Sequence, residues 1–377
     1  MKRVFAILLY ALLVLSTAGC TGGAPQPTET VPPATQPEVA VITDELIAQW
    51  DTILKERRFE GIVCLTYRGQ VVYQSVTGTN CLGDPLTLES PMFMNSVSKQ
   101  FTAAAILMLR DQGKLSLDDT LDKYFPEYTI GKDITLQNLL TMRSGIVRDY
   151  IGVWDETTMY EGMSAEEIDR AMMEWLYEQP LHFEPDSRTE YCNVNYNLLS
   201  YVVEQVSGMD YEDFVRQNMF EPLGMTHSGF YSEVTAHPEW GLTYDILYPG
   251  TTLGNWTQGC GSIISTAGDM DIWMTALPQG KVICEESYRE MATLYSEEHF
   301  SYRGYGYGLI NGPRDGWGHG GNNYFSSNYI HFNRDYGFNF FIATCNTPQH
   351  TMEQCEKVTL DFISYLLRAF DAAAQAQ

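Results

Sequence analysis

Residues 91–113 read Pro91-Met92-Phe93-Met94-Asn95-Ser96-Val97-Ser98-Lys99-Gln100-Phe101-Thr102-Ala103-Ala104-Ala105-Ile106-Leu107-Met108-Leu109-Arg110-Asp111-Gln112-Gly113. The first four residues are strand-like or loop. The Ala- and Leu-rich run from Lys99 to Gln112 predicts a helix that Gly113 stops. Ser96 therefore sits at a helix N-terminus, with Lys99 one turn on and facing the same side. A serine hydroxyl is a weak nucleophile unless a base lies within hydrogen-bond reach. A lysine desolvated in a cleft can supply that base, and the N–H groups of a helix N-terminus favour a developing oxyanion. Taken alone the pattern is weak. A capping serine beside a solvated lysine accounts for it equally well.

Working outward, Leu46, Ile47, Trp50, Ile53 and Leu54 follow helical spacing, so 44–57 is read as an amphipathic helix. Two β-rich runs follow, 62–67 and 71–77, and Arg68-Gly69-Gln70 between them makes a hairpin. From about Asn95 to Leu277 the signals are mainly helical: 99–112, 136–142, 196–206 stopped by Gly208, 211–218, and a helix to Leu277 opened by the capping box Thr266-Ala267-Gly268-Asp269. Beyond Tyr302 the strand pattern returns at 307–310, 325–332 and 338–344, and a last helix covers 351–370. The expected fold is α+β. A five-stranded antiparallel sheet, built from both chain ends and flanked by the terminal helices, carries a central, mainly helical lobe. A site at the junction of the two is where pockets commonly form.

Composition narrows the partners. The 48 acidic against 23 basic residues give a formal charge of −25, which argues against a phosphate-tracking nucleic-acid binder and against a polybasic grip on anionic lipid. The chain opens Met1-Lys2-Arg3, then twelve apolar residues from Val4 to Leu15, then small residues to Cys20. Twelve are too few to span a bilayer, so 1–19 is read as an export signal. Thr17-Ala18-Gly19-Cys20 resembles a bacterial lipobox, although Thr17 stands where Leu is usual. The resemblance implies lipidation of Cys20 and an extracytoplasmic protein anchored to the cell membrane. An ordinary secretory signal cut near Ala18 is the alternative. Residues 20–41, with Pro25, Pro27, Pro32, Pro33 and Pro37, read as an extended tether and 42–377 as the folded body. Seven cysteines remain after Cys20, an odd number, and the spacing leaves a Cys345–Cys355 bridge open. No C-x-x-C, H-E-x-x-H or zinc spacing occurs, so neither a metal nor an organic cofactor is expected.

Two further motifs decide between the readings of Ser96. Tyr191-Cys192-Asn193 precedes the helix at 196–206, and His319-Gly320-Gly321 comes directly before the strand expected at 325. In this order S-x-x-K, Y-x-N and H-x-G resemble the three active-site motifs of the serine β-lactamase-like superfamily, in its class C β-lactamase, DD-peptidase and esterase branch. Four flanking stretches are similar to family segments: Lys114 to Asp119 to the stretch after the nucleophile helix, Ile134 to Gly145 to "ITLxxLLTHTSG", Gly259 to Met270 to "GGxxSTAxDM", and Tyr305-Gly306-Tyr307-Gly308 to "YGxG". The likeness runs from about Asp44 to Phe370.

The resemblance implies a β-lactamase/transpeptidase-like fold and an acyl-enzyme mechanism. Ser96 would be the nucleophile, Lys99 its basic partner, and Tyr191 the proton shuttle to the leaving group. Asn193 would bind the substrate's amide carbonyl. His319, with Gly320 and Gly321, would line the opposite wall, the imidazole touching the substrate's acid group or Tyr191. The backbone N–H groups of Ser96 and Asn322 would form the oxyanion hole. Bland readings stand beside these: Tyr191 as a core aromatic, Asn193 as a helix N-cap, His319 as a turn residue. Three departures matter. His319 replaces the lysine of β-lactamases, removing a fixed positive charge; Asn322-Asn323-Tyr324-Phe325 stands where relatives usually have a Pro-Gly turn; and Met142-Arg143 replaces the family's His-Thr, read as a structural change only. The expected substrate is a small peptide of the cell envelope ending in a D-residue. A small ester, a β-lactam, or a cleft that only binds are the alternatives.

Overall fold

Ile62-Val63-Cys64-Leu65 and Phe338-Asn339-Phe340-Phe341-Ile342-Ala343 are apolar at nearly every position, the pattern of strands covered on both faces. The computed structural model describes residues 41–147, 163–242, 257–296, 304–323, 326–345 and 352–375, and pairs these two runs side by side in one sheet. In chain order the elements are α1 (Asp44–Glu56), β1 (Gly61–Tyr67), β2 (Gln70–Thr77), β3 (Met92–Phe93), α2 (Lys99–Asp111), α3 (Leu136–Leu140), α4 (Ala165–Glu178), α5 (Asn193–Ser207), α6 (Tyr211–Val215), α7 (Glu221–Leu223), β4 (Gly229–Phe230), β5 (Ile263–Ser265), α8 (Ala267–Ala276), α9 (Glu285–Met291), β6 (Ile310–Asn311), β7 (Trp317–Asn322), β8 (Ser326–Asn333), β9 (Phe338–Cys345) and α10 (Met352–Gln375). The large sheet has the order β2-β1-β9-β8-β7-β6 and every neighbour is antiparallel.

Strand alternation then sorts the side chains. Ile62, Cys64, Ile330, Phe341 and Ala343 face the core shared with the helical lobe, while Val63, Leu65, Phe340 and Ile342 face α1 and α10. On the latter face Trp50 is fully buried, stacks on Phe362 with ring centroids 5.4 Å apart, and donates its indole N–H to the Phe362 carbonyl at 3.3 Å.

The expected sheet of five strands needs correcting to six. The added strand is β7, which carries the histidine motif; with a glycine at three of its six positions it lacks the β-branched signal of a strand. The strand expected at 307–310 shrinks to β6. A second, three-stranded sheet of order β3-β5-β4 was not legible, because its strands are two or three residues long. The helix expected over 211–218 is α6 followed by a π turn at Arg216–Phe220. Only half of the capping box at Thr266 forms. Its hydroxyl accepts the Asp269 N–H at 3.3 Å, but the Asp269 carboxylate turns to the His227 N–H and Ser228 hydroxyl, each at 2.8 Å. The signal, Cys20 and all of the tether but Val41 lie outside the described residues. Among those described, no helix is long and apolar enough to cross a membrane.

Candidate active site

The site begins where β3 ends. Asn95 takes φ +48, a left-handed conformation uncommon outside glycine, and Asn95–Ser98 winds a 3₁₀ turn that leads directly into α2. Side chains at i and i+3 eclipse in a 3₁₀ turn, so Lys99 rises directly over Ser96. The Lys99 ammonium nitrogen lies 3.0 Å from Ser96 Oγ. Lys99 is fully buried, whereas Ser96 is partly exposed.

Three partners surround Lys99 Nζ: Ser96 Oγ, Asn193 Oδ1 at 2.9 Å and the Cys260 carbonyl at 2.8 Å. The latter two can only accept. An amine directing N–H bonds to both turns its remaining position to Ser96 Oγ. The nitrogen also stands 4.8 Å from the Tyr191 ring centroid. Tyr191 and Asn193 flank the N-terminus of α5, where Cys192, not Asn193, is the N-cap residue and makes no side-chain cap bond. This replaces the N-cap reading of Asn193 with a contact to the lysine.

His319 enters from β7, on the face it shares with Ile330, and its ring centroid lies 6.0 Å from that of Tyr191. The imidazole therefore neighbours the Tyr191 ring. The imidazole is 2% exposed, and its pKa is pushed down to about 3 by burial and by the positive charge of Lys99. Nδ1 lies 2.6 Å from the Gly320 carbonyl, which can only accept, so the proton is assigned to Nδ1 and Nε2 faces the Tyr305 hydroxyl at 3.3 Å. A neutral ring engaged in this way is not a cation for a substrate carboxylate. Gly320 and Gly321 are buried within β7, and Asn322 is exposed at its end. At Gly321 the strand runs against the nucleophile turn: an added Cβ there would lie 2.8 Å from Asn95 Cβ and strike the Met94 carbonyl.

Four further participants lie outside the three short motifs. Cys260, within the stretch similar to "GGxxSTAxDM", contributes only its backbone. Tyr305 lies in the stretch similar to "YGxG". Asn95 is held by Tyr231, whose hydroxyl donates to Asn95 Oδ1 at 2.6 Å, and by its own amide donating to Ser326 Oγ at 3.2 Å. Met142, at φ +61, receives the Cys192 N–H on its sulfur at 3.3 Å and so supports the segment between Tyr191 and Asn193. Among the described residues no three or more His, Cys, Asp or Glu side chains gather as a metal site.

Comparison with known proteins identifies the family and the fold. The family model described as Beta-lactamase matches residues 44–358. A penicillin-binding protein of Bacillus subtilis (strain 168) is 28% identical over 293 residues, covering 71% of this chain and 63% of its own length. The chain thus spans about 60% of the curated relatives it first matches. The octameric penicillin-binding protein homologue from Pyrococcus abyssi superimposes with TM-score 0.66 at 25% identity, over 82% of this chain and 75% of that one. The D-amino acid amidase from Ochrobactrum anthropi shares the fold, with TM-score 0.66 at 20% identity over 88% of this chain and 100% of its own. With a family-model match over most of its length, the chain belongs to the beta-lactamase family.

Proposed function

We propose that this chain is a serine hydrolase that forms an acyl-enzyme on Ser96, acting on cell-envelope peptides that end in a D-residue. The observation that carries the reading is the Lys99 cradle: a buried amine with two carbonyl acceptors and the Ser96 hydroxyl at hydrogen-bond distance. In that arrangement Lys99 takes the Ser96 proton as Oγ attacks an amide or ester carbonyl. The bond from Oγ to that carbon forms, and the N–H groups of Ser96 and Asn322 receive the oxyanion. Tyr191, beside the lysine, passes the proton to the leaving amine or alkoxide as its bond breaks. Water then attacks the acyl-enzyme with the same groups working in reverse. The penicillin-binding relatives support a D-residue peptide as the substrate class, and the reading of 1–41 as signal and lipidated tether supports an extracytoplasmic, membrane-anchored enzyme.

One observation favours a second reading. A neutral, inward-turned His319 offers no charge to a free carboxylate, which suits uncharged D-amino-acid amides or small esters. Purified protein incubated with a peptide ending in D-Ala-D-Ala, and separately with p-nitrophenyl acetate, distinguishes the two. Release of D-alanine by wild type and none by Ser96→Ala supports the peptidase. Ester turnover without D-alanine release moves the function to the second reading, and neither activity leaves a cleft that only binds.

A further inference from the structure

Away from the lysine cradle, the chain brings two cysteines together that sequence spacing did not pair. Cys81 follows β2 and Cys345 is the last residue of β9, 264 positions apart, yet their sulfurs lie 3.8 Å from each other. Both are partly exposed. Cys345 is fixed by the ladder, opposite Ser326 on β8. Cys81 sits on a turn in which the Asn80 N–H bonds the Asp84 carbonyl at 2.7 Å and Asn80 Oδ1 accepts the Leu82 N–H at 2.9 Å. A disulfide needs the sulfurs at about 2.05 Å, an approach that rotation of the turn residue's side chain supplies more readily than movement of the ladder. The Cys345–Cys355 bridge left open by the spacing is not the contact formed: the Cys355 sulfur lies within α10, 3.8 Å from the Ser327 carbonyl.

We propose that Cys81 and Cys345 are the site of an intramolecular disulfide that fastens the turn after β2 to the end of β9. Each sulfur lies within hydrogen-bond reach of the other, and that contact holds the Cys81 thiol below the usual range, so Cys81, on the turn, is taken as the attacking thiolate. With a disulfide oxidant such as oxidised glutathione, Cys81 Sγ bonds one glutathione sulfur and expels the other as thiolate. Cys345 then loses its proton to solvent, attacks Cys81 Sγ and releases the second glutathione. Two protein thiols are oxidised and one external disulfide is reduced. Burial pushes the Cys64 thiol up to about 11 and the Cys355 thiol higher still, so neither competes as a thiolate. The cross-link lies close to the nucleophile turn: Cys345 pairs with Ser326, which accepts from Asn95, and Cys81 packs in the cluster that contains Phe93. It is independent of the hydrolase reading and stands even if Ser96 is inert.

The test is a peptide map of the full chain, reduced, treated with oxidised glutathione, and quenched with N-ethylmaleimide. The expected result is loss of two hydrogens and a non-reducible-label gap at both residues, with one peptide linking Cys81 to Cys345. That peptide disappears in Cys81→Ser and in Cys345→Ser. Because the bridge closes a long loop, oxidised wild type should unfold several degrees above its own reduced form, a shift absent in Cys81→Ser. Maleimide on both cysteines after treatment, a bridge from either to another cysteine, or a linked peptide with an unchanged unfolding temperature would each overturn the proposal.

Discussion

The roles of single residues rest on who can donate and who can only accept. His319 illustrates this. With a folded pKa of about 3 it stays neutral through the working pH range, so its ionisation contributes no inflection to the rate. The pH profile of acylation in His319→Gln should keep the wild-type shape between about pH 5 and 8, whatever its height; an inflection near the ordinary histidine value that vanishes in the variant would contradict the assignment. Asn95 is the other residue whose duty is conformational. Its left-handed φ costs an alanine about 1–2 kcal/mol, and its amide also anchors to Tyr231 and Ser326. Asn95→Ala should therefore lower stability by about 2 kcal/mol and slow acylation, while Tyr231→Phe, which removes one anchor and keeps the backbone, should show a smaller loss in both, measured by urea midpoint and by acylation rate. Ser96, Lys99, Tyr191, Asn193 and His319 were legible because each is a side chain within a patterned motif. Asn95 and the Cys260 carbonyl were not: one acts through its φ and the other through its backbone.

At the scale of elements, the site depends on how closely β7 passes the turn at 95–98. Gly321 permits that approach, since an added Cβ would strike the Met94 carbonyl and crowd Asn95. Gly321→Ala should push β7 away from the turn, cutting acylation by at least about tenfold while the large sheet, whose centre is β1, β9 and β8, remains folded by circular dichroism. Unchanged acylation would mean that the strand does not help to form the oxyanion site. The same strand shows why the fold was only partly readable. Strands β1 and β9 announce themselves by apolar runs, β8 by Tyr329, Ile330 and Phe332 at its centre, and α1 and α10 by helical spacing. In β7, Gly318, Gly320 and Gly321 hide the strand behind the signature of a turn. The short strands β3, β4 and β5 are fixed by tertiary pairing, as where Met92 meets Ser265, and so have no local signal to read.

Across the whole molecule, acid stability follows from groups whose burial opposes charging. His331 is buried beneath Gly312 and Gly316 with its folded pKa down at about 3 against 6.5 unfolded. Between those values the unfolded chain binds the extra proton, so this histidine makes stability fall as pH drops from 6.5 towards 3 and has no effect above 6.5. Glu212 acts oppositely: burial pushes it up to about 7 from 4.5, so the folded chain holds the extra proton and stability falls as pH rises across that window. Urea midpoints against pH should show a shallower acid loss for His331→Phe and a steeper one for Glu212→Gln than for wild type; parallel curves would contradict both assignments. The central claim, however, is that Ser96 becomes acylated with Lys99 as its base. Time-resolved intact mass with benzylpenicillin, followed by peptide mapping, tests it most directly. The account predicts one adduct per chain on the peptide containing Ser96, absent from Ser96→Ala and slowed by about 100-fold or more in Lys99→Met. An adduct that persists in Ser96→Ala, or one that forms at the wild-type rate without Lys99, would contradict it.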